Sequence, residues 1–288
     1  MAGDHGVVAE GVSPYPREVT AQMVANFASA GAAINQIAST VNAEVRIYDV
    51  GVAADVSQLD GVIVRKIAYG TENMMLGPAM SREECAQAVL VGVRAARDAA
   101  EEGYSLIGTG EMGIGNTTAA SALAAAFTGA SPESVVGRGT GLDDAGLERK
   151  VEVVRTALRV NDAQNLDTLG VLAALGGFEI AALAGVVIGG AEESVCVVSD
   201  GFIAGVATLA AVALCPEARP YVIPSHVSVE CGHEVVLEAL GLAPVFDLDM
   251  RLGEGTGAAL AMGIVDAACA VLAGMATFDE AGVTAVDG

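Results

Sequence analysis

Tryptophan is absent from this 288-residue chain and lysine nearly so: Lys66 and Lys150 stand alone, and 14 basic residues in all face 36 acidic ones. The resulting formal net charge of −22 leaves no broad basic surface. Nucleic acid and anionic membranes are therefore excluded as partners, since both are held by counterion release to lysine and arginine. Any phosphate has to be bound locally. Cysteine is sparse and scattered (Cys85, Cys196, Cys215, Cys231, Cys269), with no C-x-x-C pair. That pattern excludes a disulfide frame and a zinc site and suits reduced thiols in a cytoplasmic protein. The opening Met-Ala-Gly-Asp-His-Gly has neither a basic n-region nor an apolar h-region, so no export signal is expected. Continuous apolar runs such as residues 201–215 fall short of the roughly 18–20 residues of a membrane span, and no membrane association is expected. Charge blocks, low-complexity linkers and repeats at a fixed period are also missing.

What the chain does have is small apolar residues. Hydrophobic types make up 53%, mean hydropathy is +0.53 and there are 36 glycines. Helices of Ala, Gly and Val pack closely and are covered on most sides, which suggests a helix-flanked sheet and a subunit interface. β-Branched runs at 45–52, 61–67, 104–108, 194–199, 220–224 and 244–248 read as strands. Between them, helical patterns cover 18–39, 81–102, 117–127, 143–160, 166–175, 178–189, 202–214, 232–239 and 256–273. Ser81 with Glu84 makes a capping box, and Gly103 closes that helix. Short apolar strands alternating with helices predict an α/β fold, a parallel sheet flanked by helices in a Rossmann-like three-layer arrangement. The economical organisation is one domain over 1–288: a large α/β part at about 40–255, and a small helical subdomain formed by the chain ends, about 10–39 and 256–288. Asp4-His-Gly6 is the kind of polar turn that follows a strand, yet no strand is expected before it.

Ligands of such sheets sit beyond the carboxyl ends of the strands. The polar, glycine-containing segments fall in that place: 108–115, Asp200-Gly201, Ser225-His-Val-Ser228 and 249–257. Foremost is Gly110-Glu-Met-Gly-Ile-Gly-Asn-Thr-Thr118, set between an apolar run and an alanine-rich helix. It reads either as an anion cradle at a helix N-terminus, with Glu111 beside it, or as a glycine turn capped by Asn116 or Thr117. Glu254, between Gly253 and Gly255, is held at a tight turn facing the crevice and is a candidate for function. Asp247 and Asp249 alternate along a strand rather than standing next to each other, unlike the adjacent acidic pair of enzymes that use phosphoribosyl pyrophosphate. Gly137-Arg-Gly-Thr-Gly141 is a second glycine loop entering a helix. Lys150 is either a phosphate counter-charge or a surface lysine paired with Glu148 or Glu152. His226 and His233 have no metal spacing, and no metal or other cofactor is expected. Ser225 and Ser228 either bond a phosphate or ribose or cap the next helix. A nucleophile elbow and a dinucleotide fingerprint are both missing.

Taken in order, Asp4-His-Gly-Val7 with Glu10-Gly-Val12, the Gly110–Thr118 loop, Gly176-Gly-Phe-Glu179, Asp200-Gly-Phe-Ile203, Pro224-Ser-His226 and Arg251-Leu-Gly-Glu-Gly-Thr-Gly257 resemble one family across the whole chain. It is nicotinate-nucleotide:dimethylbenzimidazole phosphoribosyltransferase, of cobalamin nucleotide-loop assembly. The resemblance implies transfer of the 5-phosphoribosyl group from nicotinate mononucleotide to 5,6-dimethylbenzimidazole, with both as small-molecule substrates, and a homodimer. By that likeness Glu254 is the general base and Glu111 a second active-site carboxylate. Gly113, Gly115, Asn116, Thr117, Thr118, Gly137, Gly139, Thr140, Gly141, Lys150 and Ser228 serve the nucleotide and its phosphate. Glu10, Tyr15, Pro16 and Met23 serve the benzimidazole pocket. Members of the resembled family also carry an N-terminal segment with a Lys-Pro-Pro-Gly-Ser-Leu-Gly sequence, which this chain is expected to lack. Two alternatives stay open: a truncated, non-catalytic nucleotide-binding relative, or the same reaction on another aromatic base.

Overall fold

The computed structural model describes residues 1–139 and 141–284. In chain order the elements are β1 (Ala2–Gly3), α1 (Glu18–Ala28), α2 (Ala33–Thr40), β2 (Ile47–Gly51), β3 (Val62–Val64), α3 (Arg82–Glu101), β4 (Leu106–Gly108), α4 (Asn116–Thr128) and α5 (Pro132–Val135). There follow α6 (Asp144–Val160), α7 (Thr168–Leu175), α8 (Phe178–Glu192), β5 (Cys196–Ser199), α9 (Phe202–Leu214), β6 (Val222–Pro224), β7 (His226–Ser228), α10 (Gly232–Leu240), β8 (Phe246–Met250) and α11 (Thr256–Gly274). Every strand pairing among the described residues is parallel, as the continuous apolar strands require.

The strands form three ladders, β1-β2-β3, β4-β5-β6 and β7-β8. A parallel bridge between Ala2 and Met112, just beyond β4, joins the first two. The Gly3 N–H donates to Met112 O and the Met112 N–H to Met1 O, both at 3.0 Å. The order across the join is thus β3-β2-β1-β4-β5-β6, and winding reverses between β1 and β4. A reversal of this kind splits the loops apart and leaves a crevice at the carboxyl ends of the two strands. The loops after β1 and β4 are Asp4-His5 and Gly110–Thr118, so topology alone puts both at the crevice.

Helices with almost no charge along their length are buried on all sides. In α8 every residue from Phe178 to Val187 is buried, and α9 is buried from Ala204 to Ala211. α8 lies against α3 at backbone contact. A Cβ on Gly92 would fall 1.8 Å from the Ala182 carbonyl oxygen, and one on Gly185 would fall 1.9 Å from that of Val89. Reciprocal glycines therefore set the spacing of this helix pair.

Several expectations are corrected. A strand does precede Asp4, although it is only two residues long. The helix expected over 18–39 is two, because Ala30 turns left-handed (φ 56°) and the Asn35 side chain accepts from the Ala32 N–H to start α2. His226–Ser228, expected as loop, pairs with β8. Asp249 adopts φ 53°, so the simple alternation of Asp247 and Asp249 is broken. The Ser81–Glu84 capping box is present, with reciprocal bonds of 3.1 and 2.8 Å. Finally, α11 is long and apolar enough to cross a membrane by length and composition, although its first turn is built into the protein.

The glycine contact gives a direct test. Gly92→Ala is expected to lower the unfolding free energy by about 2–3 kcal/mol despite alanine's higher helix propensity, because the methyl meets backbone that cannot rotate away. Chemical denaturation of the two proteins measures it.

Candidate active site

Two helices enter the crevice N-terminus first, α4 from the Gly110–Thr118 loop and α11 from the Gly253–Gly257 loop. The loops meet at two glycines: a Cβ on Gly110 would lie 2.7 Å from the Glu254 carbonyl oxygen, and one on Gly253 would lie 2.5 Å from Glu111 Oε1. Glycine at both places is a steric necessity, and it brings Glu111 beside the Glu254 turn.

That turn is strained. Gly253, Glu254 and Gly255 have φ of 73°, 64° and 87° in succession. The middle one is not a glycine, and the left-handed conformation costs such a residue about 1–2 kcal/mol. Glu254 Oε2 is buried and has no hydrogen-bond partner among the described residues. Burial first, then the Asp200 carboxylate, lifts the Glu254 carboxyl above its ordinary range. Glu111 goes further, to about 8, through burial and the charges of Asp200 and Glu179, against a hydrogen bond from Asn116 Nδ2. Two carboxyls of raised proton affinity at one crevice, one of them beside the turn that carries the other, suit proton transfer at neutral pH.

The expected cap of α4 does not form. Gly115 (φ 96°) occupies the N-cap with no side-chain bond, Asn116 turns to Glu111, and Thr117 Oγ1 accepts from Lys150 Nζ at 2.8 Å. Lys150 is fully buried rather than paired at the surface; Glu152 pairs with Arg155 instead. Its ammonium also donates to Gly137 O at 3.1 Å, and Gly139 packs against it and Thr117. Burial pulls the Lys150 pKa down to about 8, opposed by Glu230 and Cys231. The other lysine, Lys66, is already taken by buried Asp49 at 3.0 Å. Thr118 Oγ1, in the first turn of α4, is buried with no partner among the described residues. Thus Thr117, Lys150, Gly137 and Gly139 converge on one small polar region at a helix N-terminus, the arrangement that suits an anion. Gly141 (φ 112°) closes the same loop, and Thr140 lies outside the described residues.

Under the loop sits an ion pair that no local pattern reveals. His5 Nε2 is 2.6 Å from Glu179 Oε1, both buried, and Gly113 packs against Gly3 O and that same carboxylate. Burial alone would lower the His5 pKa; the Glu179 charge and hydrogen bond, with Asp4 and Glu111, turn the net shift upward. Asp4 accepts from Thr20 Oγ1 at 2.7 Å, and Thr20 accepts from the Ile114 N–H. Gly113 and Gly115 are therefore held from both sides.

Other expected residues lie elsewhere. A cavity of about 550 Å³ runs from Tyr104 and Ile107 past Phe27, Ala259 and Met262 to Glu111 and Glu254. Glu10, Tyr15, Pro16 and Met23 do not line it. Glu10 accepts from Asn73 Nδ2 at 2.6 Å, Tyr15 is half exposed, and Met23 packs on the cluster of Val24 and Phe27. Ser228 is buried; its N–H donates to His233 Nδ1 and its hydroxyl accepts from the Glu230 N–H. His226 and His233 do meet, edge to face at 6.2 Å, and burial with the neighbouring His226 drives His233 down to about 3. Among the described residues no group of three or more His, Cys, Asp or Glu is placed to hold a metal.

Known proteins resemble this chain over nearly its whole length. The DBI_PRT family model, described as phosphoribosyltransferase, matches residues 1–283. The chain is 52% identical over 284 residues to the nicotinate-nucleotide–dimethylbenzimidazole phosphoribosyltransferase of Geobacter sp. (strain M21), covering 99% of this chain and 81% of that one. To the enzyme of the same name from Chloroflexus aggregans it is 54% identical over 284 residues, covering 99% and 80%. A crystal structure of CobT from Thermus thermophilus superimposes with a TM-score of 0.95 at 49% identity, over 99% of this chain and 85% of the other.

Strain and an unpartnered carboxylate at one residue imply a trade of stability for function. Glu254→Gly is expected to raise the thermal midpoint by a few degrees, about 2–4 °C for a chain of this size, by removing both costs. Calorimetry tests this; an unchanged or lower midpoint counts against a strained turn.

Proposed function

We propose that this chain, which belongs to the nicotinate-nucleotide:dimethylbenzimidazole phosphoribosyltransferase family of cobalamin biosynthesis, moves the 5-phosphoribosyl group of nicotinate mononucleotide to 5,6-dimethylbenzimidazole. The products are α-ribazole 5′-phosphate and nicotinate, formed with inversion at C1′. The observation that carries this reading is Glu254 Oε2, buried and without a partner among the described residues, beside a second carboxylate at the crevice.

The chemistry asks little else of the protein. In the nucleotide the nicotinate is a pyridinium, so it leaves with the bonding electrons as a neutral ring nitrogen and needs no general acid. Benzimidazole attacks C1′ with one nitrogen while the other gives up its proton, which calls for one base. Glu254, with a raised pKa and an open oxygen, fits that role. Glu111 stands beside it, where a cationic ring or ribosyl centre would draw its proton off and be stabilised by the carboxylate. The 5′-phosphate goes to Lys150, Thr117, Thr118 and the glycines 113, 115, 137 and 139, and Ser228 belongs to the nucleotide side. The cavity ending at Glu111 and Glu254 has the apolar wall a flat methylated base requires. We assign the whole chain to one transferase unit with its helical appendage at the two ends. A second copy of the chain covers the outer apolar face of α11, where Ile264, Val271 and Leu272 are exposed.

Incubating the protein with both substrates and analysing products by mass spectrometry tests the reaction; absence of α-ribazole phosphate from folded protein contradicts it. Glu254→Gln should cut turnover by roughly 10²–10⁴-fold, the usual weight of a general base, while nucleotide affinity stays within about threefold.

Lys150 generates a separate expectation about pH. Its pKa in the free protein is about 8, so the cation that pairs with phosphate is present below that value and lost above it. Affinity for nicotinate mononucleotide should fall as the pH rises from about 7 to about 9.5, and Lys150→Met should bind weakly with that pH dependence removed. Calorimetric titrations at several pH values measure both.

A further inference from the structure

The carboxylate nearest the Glu254 turn that the reaction leaves without a task is Asp200. It follows β5 directly and is buried. The Gly255 N–H donates to its Oδ2 at 3.1 Å and the Ala258 N–H to its Oδ1 at 2.9 Å. Those donors open α11, whose own N-cap, Gly255, has no side chain with which to cap it. An aspartate 55 residues earlier in the chain thus supplies the missing cap and meets the positive end of the helix.

The contact leaves no room for adjustment. A Cβ on Gly257 would sit 2.8 Å from Asp200 Oδ1 and 2.1 Å from His226 Nδ1. Asp200 is itself fixed through its backbone: its N–H donates to Thr109 Oγ1 at 3.1 Å, and its carbonyl accepts from Ser225 Oγ at 2.9 Å. Thr109 follows β4 and Ser225 follows β6, so three strand ends lock the carboxylate that grips the turn. A left-handed glutamate flanked by two left-handed glycines has no local reason to stay as it is, since neighbouring glycines offer many other conformations.

We propose that Asp200 is the positioning residue of this site: by gripping Gly255 and Ala258 it holds Glu254 in its left-handed conformation, open oxygen towards the crevice, without touching substrate. The inference rests on the reading of Glu254 as general base. Asp200 takes no part in the bonds of the phosphate region, which are made by Lys150, Thr117 and Gly137. Its loss should therefore damage turnover and spare binding.

Asp200→Asn keeps the shape but sets an amide N–H₂ against one backbone N–H, so one of the two grips fails. The expected result is turnover slowed by about 30-fold or more, with KM for nicotinate mononucleotide within about threefold of the parent. Turnover within about threefold of the parent, or a KM that rises in step with the loss of turnover, overturns the proposal. If the variant does not fold, residue-resolved hydrogen exchange on the unaltered protein decides. The Gly255 and Ala258 amides should exchange at least about tenfold slower than in an unstructured chain, and free exchange at both overturns the proposal. Glu254→Gln assayed alongside separates the two claims. Full activity in that variant refutes the general base, whereas loss of activity there with full activity in Asp200→Asn refutes only the positioning role.

Discussion

Close contact between two glycine loops is the constraint on which the rest of this structure depends. Gly110 can lie against the Glu254 carbonyl only because it has no Cβ, and Gly253 can accept Glu111 only for the same reason. With those contacts made, α4 and α11 start side by side at one crevice. The crevice itself follows from strand order, because β1 and β4 are neighbours whose following segments diverge. A larger residue at either glycine would push the Gly110–Thr118 loop and its Glu111 away from the Glu254 turn.

Electrostatics then gives the two loops different work. The start of α4 brings the Thr117 hydroxyl to the buried Lys150 of α6, a place suited to a phosphate in a chain whose overall charge repels one. Local burial makes this possible: with Lys66 spent on Asp49, Lys150 is the lysine left for the task. The α11 loop delivers a strained glutamate whose proton affinity is raised by burial and by Asp200. In the proposed reaction, binding and proton transfer are thus assigned to different residues of one crevice, and a pyridinium leaving group asks for no acid besides.

Much of this is legible in the sequence because it is written in local patterns. Alternation of apolar runs and helices predicts the parallel α/β fold, and glycine-rich segments after strands mark Glu111 and Glu254. What stays hidden depends on pairing across distance. His5 meets Glu179 over 174 residues and Asp200 meets Gly255 over 55, and neither spacing has a periodicity to detect. Asp200 does carry a faint signal as an acid directly after an apolar strand. The two-residue β1 is invisible because its sequence has little strand propensity, and its stability comes from being sandwiched between β2 and Met112, just beyond β4. The break at Ala30 has no proline to mark it.

If one crevice holds the phosphate at Lys150 and the reacting carbon at Glu254, a crystal structure with nicotinate mononucleotide bound is the most direct measurement. The 5′-phosphate should then lie within hydrogen-bond distance of Lys150 Nζ and the first turn of α4, with C1′ facing the Glu254 carboxylate. A nucleotide whose phosphate lies away from Lys150, or whose C1′ faces away from Glu254, would contradict that division of the crevice.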